Sequence, residues 1–319
     1  MRLATLANGA PDGRLVVISR DARRCMPAAG IADTLQQAIE QWQQVEPALR
    51  ALADRLEQGE GEALDHSRLL APLPRAWQWL DGSAFPQHGA LMQKAFDLPP
   101  IETDRPLMYQ GLSDSFQPGH ADVILPSEAD GIDFEGEFGV ITDAVPMGTS
   151  ASDALAHVKL ILLINDWSLR AIAPVEMKTG FGWVQAKPAC SVAPYAVTPD
   201  ELGDAWVDGR VHLALEVRLN GQWFGHPHGG EMQFGFHDLI AHAARTRHLV
   251  AGTIIGSGTV SNADYQALGS CCLSERRAIE VIEHGSAITP FMHFGDHVHM
   301  EAEGAHFGPI SQKIRSPLL

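Results

Sequence analysis

The segment Gly131-Ile-Asp-Phe-Glu-Gly-Glu-Phe-Gly-Val140 sets two acids into an alternating frame, with Phe134, Gly136 and Phe138 around Glu135 and Glu137. Residues two apart on a strand share a face, so both carboxylates would point the same way. Side by side they repel, which costs stability unless a cation sits between them or one holds a proton. An isolated Glu-x-Glu is more often the solvated face of an amphipathic strand, and the apolar neighbours narrow those odds without settling them.

Outward from this segment, Ile161-Leu-Leu-Ile-Asn-Asp-Trp-Ser168 delivers Asn165 and Asp166 at the end of an apolar run, a placement at the rim of a core. The competing reading is an Asx cap for the following turn. Asp81, in Gln78-Trp-Leu-Asp-Gly82, reads equally well as a turn residue. Brought together, Asp81, Glu135, Glu137 and Asp166 would offer hard oxygen donors, which suit Mg²⁺, Ca²⁺ or Mn²⁺ better than zinc. Spacing alone does not assemble them.

The rest of the chain reads as α+β and mostly β. Arg14-Leu-Val-Val-Ile-Ser19 is a strand after a Gly-containing turn. Leu35, Ala38, Ile39, Trp42 and Val45 recur at helical spacing, Pro47 interrupts, and Leu49, Leu52 and Leu56 resume the stripe. The Pro-rich stretch Leu70-Ala-Pro-Leu-Pro74 marks a boundary, giving a small N-terminal α/β domain over 1–72 and a main domain over 73–319. Val211, Leu213, Leu215, Val217 and Leu219 alternate with His212, Glu216 and Arg218 before Asn220-Gly221, a type I′ hairpin turn. Further strands are expected at 138–142, 253–256, 278–282 and 297–301. Helices are expected at 152–163, with Ser150, Ser152 and Asp153 as capping residues, and at 236–247.

Composition excludes several classes of function. With 319 residues, 45% hydrophobic and 19% charged, the chain supports a sizeable core and is not disordered. A formal net charge of −16 without a long basic run argues against nucleic acid, while leaving room for a small anion beside local cations or a metal. No run of about eighteen apolar residues and no signal peptide is evident, so a cytoplasmic protein without membrane contact is expected. Cys25, Cys190, Cys271 and Cys272 lack metal-ligand spacing and read as reduced and mostly structural. His293, His297, His299 and His306 with Glu301 imitate a metal site, but an exposed strand is the preferred reading.

Six segments, in order, resemble the fumarylacetoacetate hydrolase family. Asp81-Gly-Ser-Ala-Phe-Pro-Gln-His88 is similar to the segment joining a metal-binding Asp to the catalytic His, and Met108-Tyr-Gln-Gly111 to the substrate-binding Tyr segment. Asp133-Phe-Glu-Gly-Glu137 resembles the paired-Glu metal motif, and Asn165-Asp-Trp-Ser-Leu-Arg170 the Asp-to-Arg motif. Gly182-Trp-Val-Gln-Ala-Lys-Pro188 resembles the active-site Lys segment, and Gly256-Ser-Gly-Thr-Val-Ser261 the Gly-Thr loop over the substrate. The longer stretches look most like a bacterial branch close to fumarylacetoacetase. Two positions depart from the pattern: Ala173 stands where the animal enzyme's motif has Gln, and Leu273 occupies the simplest position for the acid that partners His88. Glu275, two residues on and on the same face of a strand, is assigned that role.

The resemblance implies a mixed β-sheet roll with a small N-terminal domain, a homodimer, and bound Mg²⁺ or Ca²⁺, with Mn²⁺ also accommodated. Asp81, Glu135, Glu137 and Asp166 would hold the metal. His88 would be the base, with Glu275, Lys187 and Arg170 completing the catalytic group, and Tyr109, Gly258 and Thr259 would bind substrate. The implied reaction is metal-dependent hydrolytic cleavage of a carbon–carbon bond in a small anionic 1,3-diketo dicarboxylate, foremost fumarylacetoacetate to fumarate and acetoacetate. The alternatives are acylpyruvate hydrolysis, oxaloacetate decarboxylation, and a non-catalytic binding protein that keeps the fold.

Overall fold

A computed structural model describes residues 1–97, 99 and 103–317. In the larger sheet the strands are β1 (Arg2–Leu6), β2 (Arg14–Ile18), β3 (Arg24–Pro27), β4 (Glu62–Ala63), β5 (Gln78–Gly82), β6 (Met108–Gln110), β7 (Gly136–Thr142), β8 (Val158–Asn165) and β9 (Ala196–Val197). The hairpin β10 (Leu215–Leu219) and β11 (Gln222–Gly225) precedes β12 (Thr253–Gly256), β13 (His297–Ala302) and β14 (Ile310–Arg315). The larger sheet runs β4-β3-β2-β1-β9-β8-β7-β12-β5-β6, so the N-terminal strands continue the sheet that carries the acids. The second sheet runs β11-β10-β13-β14 and ends on a short strand at Val123–Ile124. Because β12 pairs in parallel with β5 and antiparallel with β7, the sheet is mixed, as an α+β fold with an N-terminal domain of this type requires.

Helices α1 (Leu35–Glu40) and α2 (Trp42–Glu57) bury Leu35, Ala38, Ile39, Trp42, Val45, Leu49, Leu52 and Leu56 in a core that includes Leu15, Val17 and Leu162. The break between them falls at Gln41, and Pro47 lies inside α2 without ending it. Of the remaining helices, α3 (Pro86–Phe96) and α6 (Leu273–His284) pack together and carry the site's His88 and Glu275, while α4 (Ala173–Thr179) edges its cavity and α5 is Phe236–Ala243. Among the described residues no helix is long and apolar enough to cross a membrane.

The structure overturns three assignments made from periodicity. Residues 152–163 are helical only at Ala151–Ala154 and, as a 3₁₀ turn, at Leu155–His157, after which Val158–Asn165 is β8. Ser150 does cap the helix, its hydroxyl accepting from the Asp153 amide at 3.3 Å. Because β8 is covered on both faces, its side chains are apolar without alternation, and a short run of that kind resembles a buried helix. Conversely, the segment 278–282 lies inside α6, which starts at a Cys272 N-cap and ends on Gly285 at φ 81°. Finally, 211–219 is not one strand: pairing stops at Val211 and resumes at Leu215, with Ala214 bridged to His228. The turn that follows is as expected, with Asn220 and Gly221 at φ 52° and 77°.

Candidate active site

Sheet register brings distant acids together. Asp81 on β5 lies opposite Gly256 on β12 and Tyr109 on β6, while Gly139 on β7 pairs with Gly256 from the other side. Glu137 precedes Gly139 by two residues and pairs with Ile164 of β8, and Asp166 follows Ile164 by two. Along the order β8-β7-β12-β5 the sheet thus presents Asp166, Glu137 and Asp81 together at one edge, with a carboxylate oxygen of each within 4.8 Å of the others. All three side chains are buried, which removes the solvated-strand reading of the Glu pair.

Gly256 is the floor beneath these carboxylates. A Cβ there would stand 2.4 Å from Asp81 Oδ1, 2.4 Å from Trp79 Cη2 and 3.0 Å from Glu137 Oε2. Gly256→Ala is therefore expected to spread the acids, lower the melting temperature by several degrees and weaken divalent-metal binding at least about tenfold. Thermal shift with and without Mn²⁺ checks this, and an unchanged metal response would show that the floor does not set the cluster.

Glu135 belongs to the same centre but keeps different company. Its Oε1 receives Lys187 Nζ at 2.6 Å and the Ser168 hydroxyl, with Arg170 Nη2 2.9 Å away, and its Oε2 receives the Thr259 hydroxyl. Burial works against its charge, yet Arg170 and Lys187 outweigh burial and hold the carboxyl well below the usual range. Glu137 is its opposite: neither oxygen meets a hydrogen-bond donor, and its polar neighbour is the Asp81 carboxylate. Burial, followed by Asp81, Asp166 and Glu135, pushes the Glu137 carboxyl well above the usual range, and burial with Asp166 drives Asp81 up to about 8. Clustered acids with orphaned buried oxygens over a side-chain-free floor fit a hard divalent cation, whose charge would reverse these shifts.

The cations balance the cluster. Lys187 Nζ lies 2.6 Å from both Glu135 Oε1 and Asp166 Oδ2, and although burial pulls its ammonium down, Asp166 and Glu135 raise it above the usual lysine range. Arg170 Nε donates to Asp133 at 2.8 Å, so this side chain braces the site. Tyr109 donates its hydroxyl to Asp166 Oδ2 at 2.6 Å, the Gly258 amide donates to Asp81 Oδ1 at 3.2 Å, and Thr259 is engaged with Glu135. These three residues line the cavity while holding its acids in place.

His88 opens on the same cavity of about 340 Å³, three residues into α3. Its Nδ1 lies 3.0 Å from Glu275 Oε2, and Ser270 donates to the other Glu275 oxygen at 3.1 Å. Glu275 is buried in the first turn of α6, so the same-strand-face argument that selected it is replaced by a helix packed on α3. Because a carboxylate only accepts, Nδ1–H faces Glu275 and Nε2 is left to accept a proton.

Two further residues escaped the sequence reading. Asp133 is buried, grips Arg170 and accepts the Leu273 and Ser274 amides at 2.7 and 2.9 Å, tying the acidic strand to the helix that carries Glu275. The period-two step that joined Glu135 to Glu137 passes through Asp133, so a signal was present. Cys190 donates its thiol to Asp166 Oδ1 at 2.9 Å, and nothing in the local sequence marks that contact. All four cysteines are free and buried. The C-terminal histidines do not converge: His297 bonds Ser311, His293 bonds Glu128 and His299 stands 3.8 Å from Glu301.

Residues 1–75 match fumarylacetoacetase N-terminal domain 2, and residues 78–315 match the fumarylacetoacetate (FAA) hydrolase C-terminal family model. A 2,4-didehydro-3-deoxy-L-rhamnonate hydrolase of Sphingomonas sp. (strain SKA58) is 29% identical over 163 residues, 50% of this chain and 54% of its own. The mitochondrial oxaloacetate tautomerase Fahd2a of Rattus norvegicus is 27% identical over 157 residues, 48% of each chain. The chain thus spans about half the length of these curated relatives. Over 99% of both chains, the fold matches maleylpyruvate hydrolase from Sphingobium sp. SYK-6, solved with manganese(II) and pyruvate, at a TM-score of 0.69 and 16% identity. With family matches running through both its N-terminal segment and the whole acid centre, the chain belongs to the fumarylacetoacetate hydrolase family.

Proposed function

We propose that this protein is a divalent-metal-dependent hydrolase that cleaves the carbon–carbon bond between the two carbonyls of a small 1,3-diketo acid. Fumarylacetoacetate and acylpyruvates both carry that group. One observation supports this reading most: a carboxylate-oriented His88 opens on a cavity lined also by Glu135, Lys187 and Asp81, the last a member of the Asp81, Glu137 and Asp166 cluster. A non-catalytic scaffold gains nothing from burying Glu137 without a donor, which costs stability.

Asp81, Glu137 and Asp166 would hold the ion, with Glu135 completing the set. When bound, Mg²⁺, Mn²⁺ or Ca²⁺ supplies Lewis-acid stabilisation for the oxygens of the diketo group. His88 Nε2 takes a proton from water, and the resulting hydroxide adds to the ketone carbon. The bond from that carbon to the central carbon then breaks, and its electron pair leaves with the second fragment as an enolate. The imidazolium returns its proton to that fragment, so one water is consumed and two acids are released. Glu275 steadies the imidazolium, and Lys187 faces the negative charge that develops in the cavity.

A proton shift without bond cleavage needs the same oxygens and the same base. The oxaloacetate tautomerase among the relatives makes this the second reading. Both are tested by incubating the Mn²⁺-loaded protein with fumarylacetoacetate, an acylpyruvate and oxaloacetate and analysing the products. Metal-dependent release of two acids from either diketo acid is expected. Turnover of oxaloacetate alone would replace hydrolysis with the second reading.

A further inference from the structure

Every cation lining the cavity stands at its acidic base. Lys187 lies between Glu135 and Asp166, Arg170 is gripped by Asp133 beside Glu135, and His88 is held by Glu275. The rest of the lining differs in kind. Leu107, Met108, Ala173, Met177 and Trp183 are uncharged, and the exposed Leu107 and Met177 mark the mouth. No described residue on that wall carries a charge, and Arg245 and Arg247 border a neighbouring cavity, which meets this one at Met108 and Tyr109, without lining the wall itself.

The wall is also built as a unit. Trp183 meets the Tyr109 ring edge-on, with centroids 6.1 Å apart. Glu176 on α4 accepts the amides of Val184, Gln185 and Ala186 at 3.1, 2.9 and 3.0 Å, which fastens the Trp183 segment to the helix bearing Ala173 and Met177. A carboxylate set against these side chains would lose water and gain no partner, whereas an alkyl or aryl group would gain contact.

From this arrangement we infer that the substrate carries a single carboxylate, bound near the acid centre, and ends in an uncharged apolar group seated on Leu107, Met108, Ala173, Met177 and Trp183. The inference rests on the hydrolase reading and narrows it from diketo acids in general to monocarboxylates with an apolar end.

The test is kcat/KM, with saturating Mn²⁺, for a 2,4-diketo monocarboxylate ending in a propyl group and for the same skeleton with its terminal methyl replaced by a carboxylate. The native protein is expected to favour the propyl compound by at least about tenfold. Ala173→Arg puts a cation on the wall and should shift the ratio towards the dicarboxylate by about tenfold or more, with the Mn²⁺-induced rise in melting temperature unchanged. Met177→Arg, at an exposed position that folding tolerates, should shift it the same way. A native preference for the dicarboxylate, or a ratio that neither variant moves, overturns the inference while leaving hydrolysis intact. Failure to cleave either compound with metal bound overturns both.

Discussion

His88→Ala is expected to bind divalent metal as the native protein does and to lose diketo-acid cleavage by roughly a hundredfold or more. The separation follows from where His88 sits. It belongs to α3 and bonds Glu275 of α6, whereas the clustered acids Asp81 and Glu137 lie on β5 and β7 and Asp166 follows β8. Removing the imidazole would therefore take away the proposed proton acceptor and leave the oxygen donors in place. Turnover of the native protein should also fall on the acid side, because an imidazolium cannot take up another proton. The residual rate of the variant should lack that limb. Calorimetry for the metal and a pH profile for cleavage, on both proteins, check the two halves. Native turnover in His88→Ala, or loss of metal binding with it, would assign the base elsewhere.

Glu137→Gln is expected to move the metal and the metal-free protein in opposite directions. Its carboxylate is buried without a hydrogen-bond donor beside Asp81, an arrangement that only a cation or a proton relieves. Metal affinity should fall by about a hundredfold or more, because a charged ligand of a hard cation is lost. At a hundred times its dissociation constant, a bound ligand stabilises by about 2.7 kcal/mol, so the native protein should gain several degrees in melting temperature and the variant little. Without metal the sign reverses. A carboxyl raised in the folded state binds more protons folded than unfolded between the ordinary carboxyl range and its raised value, so stability falls as pH rises through that window. Glu137→Gln removes this contribution, and the metal-free variant should lose less stability than the native protein as pH rises above the ordinary carboxyl range. Melting curves across pH, with chelator or with Mn²⁺, measure both effects. A variant that still gains the native rise with Mn²⁺ would remove Glu137 from the metal site.

Local sequence went furthest where a short-range rule governs the chain. The turn at Asn220-Gly221, the Ser150 cap and the strand β2 each depend on residues within a few positions of one another, and each appears in the structure. The ordered motifs pointed to the family that the match over residues 78–315 shows, and they named the acids, His88 and Lys187 as candidates. Periodicity failed at β8 and α6 for one physical reason. In both, burial does not follow the polar pattern: the strand is covered on both faces and has no polar side to show, and the helix buries Glu275 together with Leu273, Ala278 and Ile279.

Tertiary structure alone decided how the named residues divide their work. Asp81, Glu137 and Asp166 meet because β5, β7 and β8 share a sheet with the side-chain-free Gly256 on β12 as its floor, and no sequence interval encodes that register. Glu135 and Glu137 look equivalent in the chain, yet two cations and two hydroxyls fall to the first and no donor to the second. Such differences arise from long-range packing, which sets burial and neighbouring charge. Those two quantities fix the protonation state of a carboxylate, whereas its place in a motif fixes only its identity.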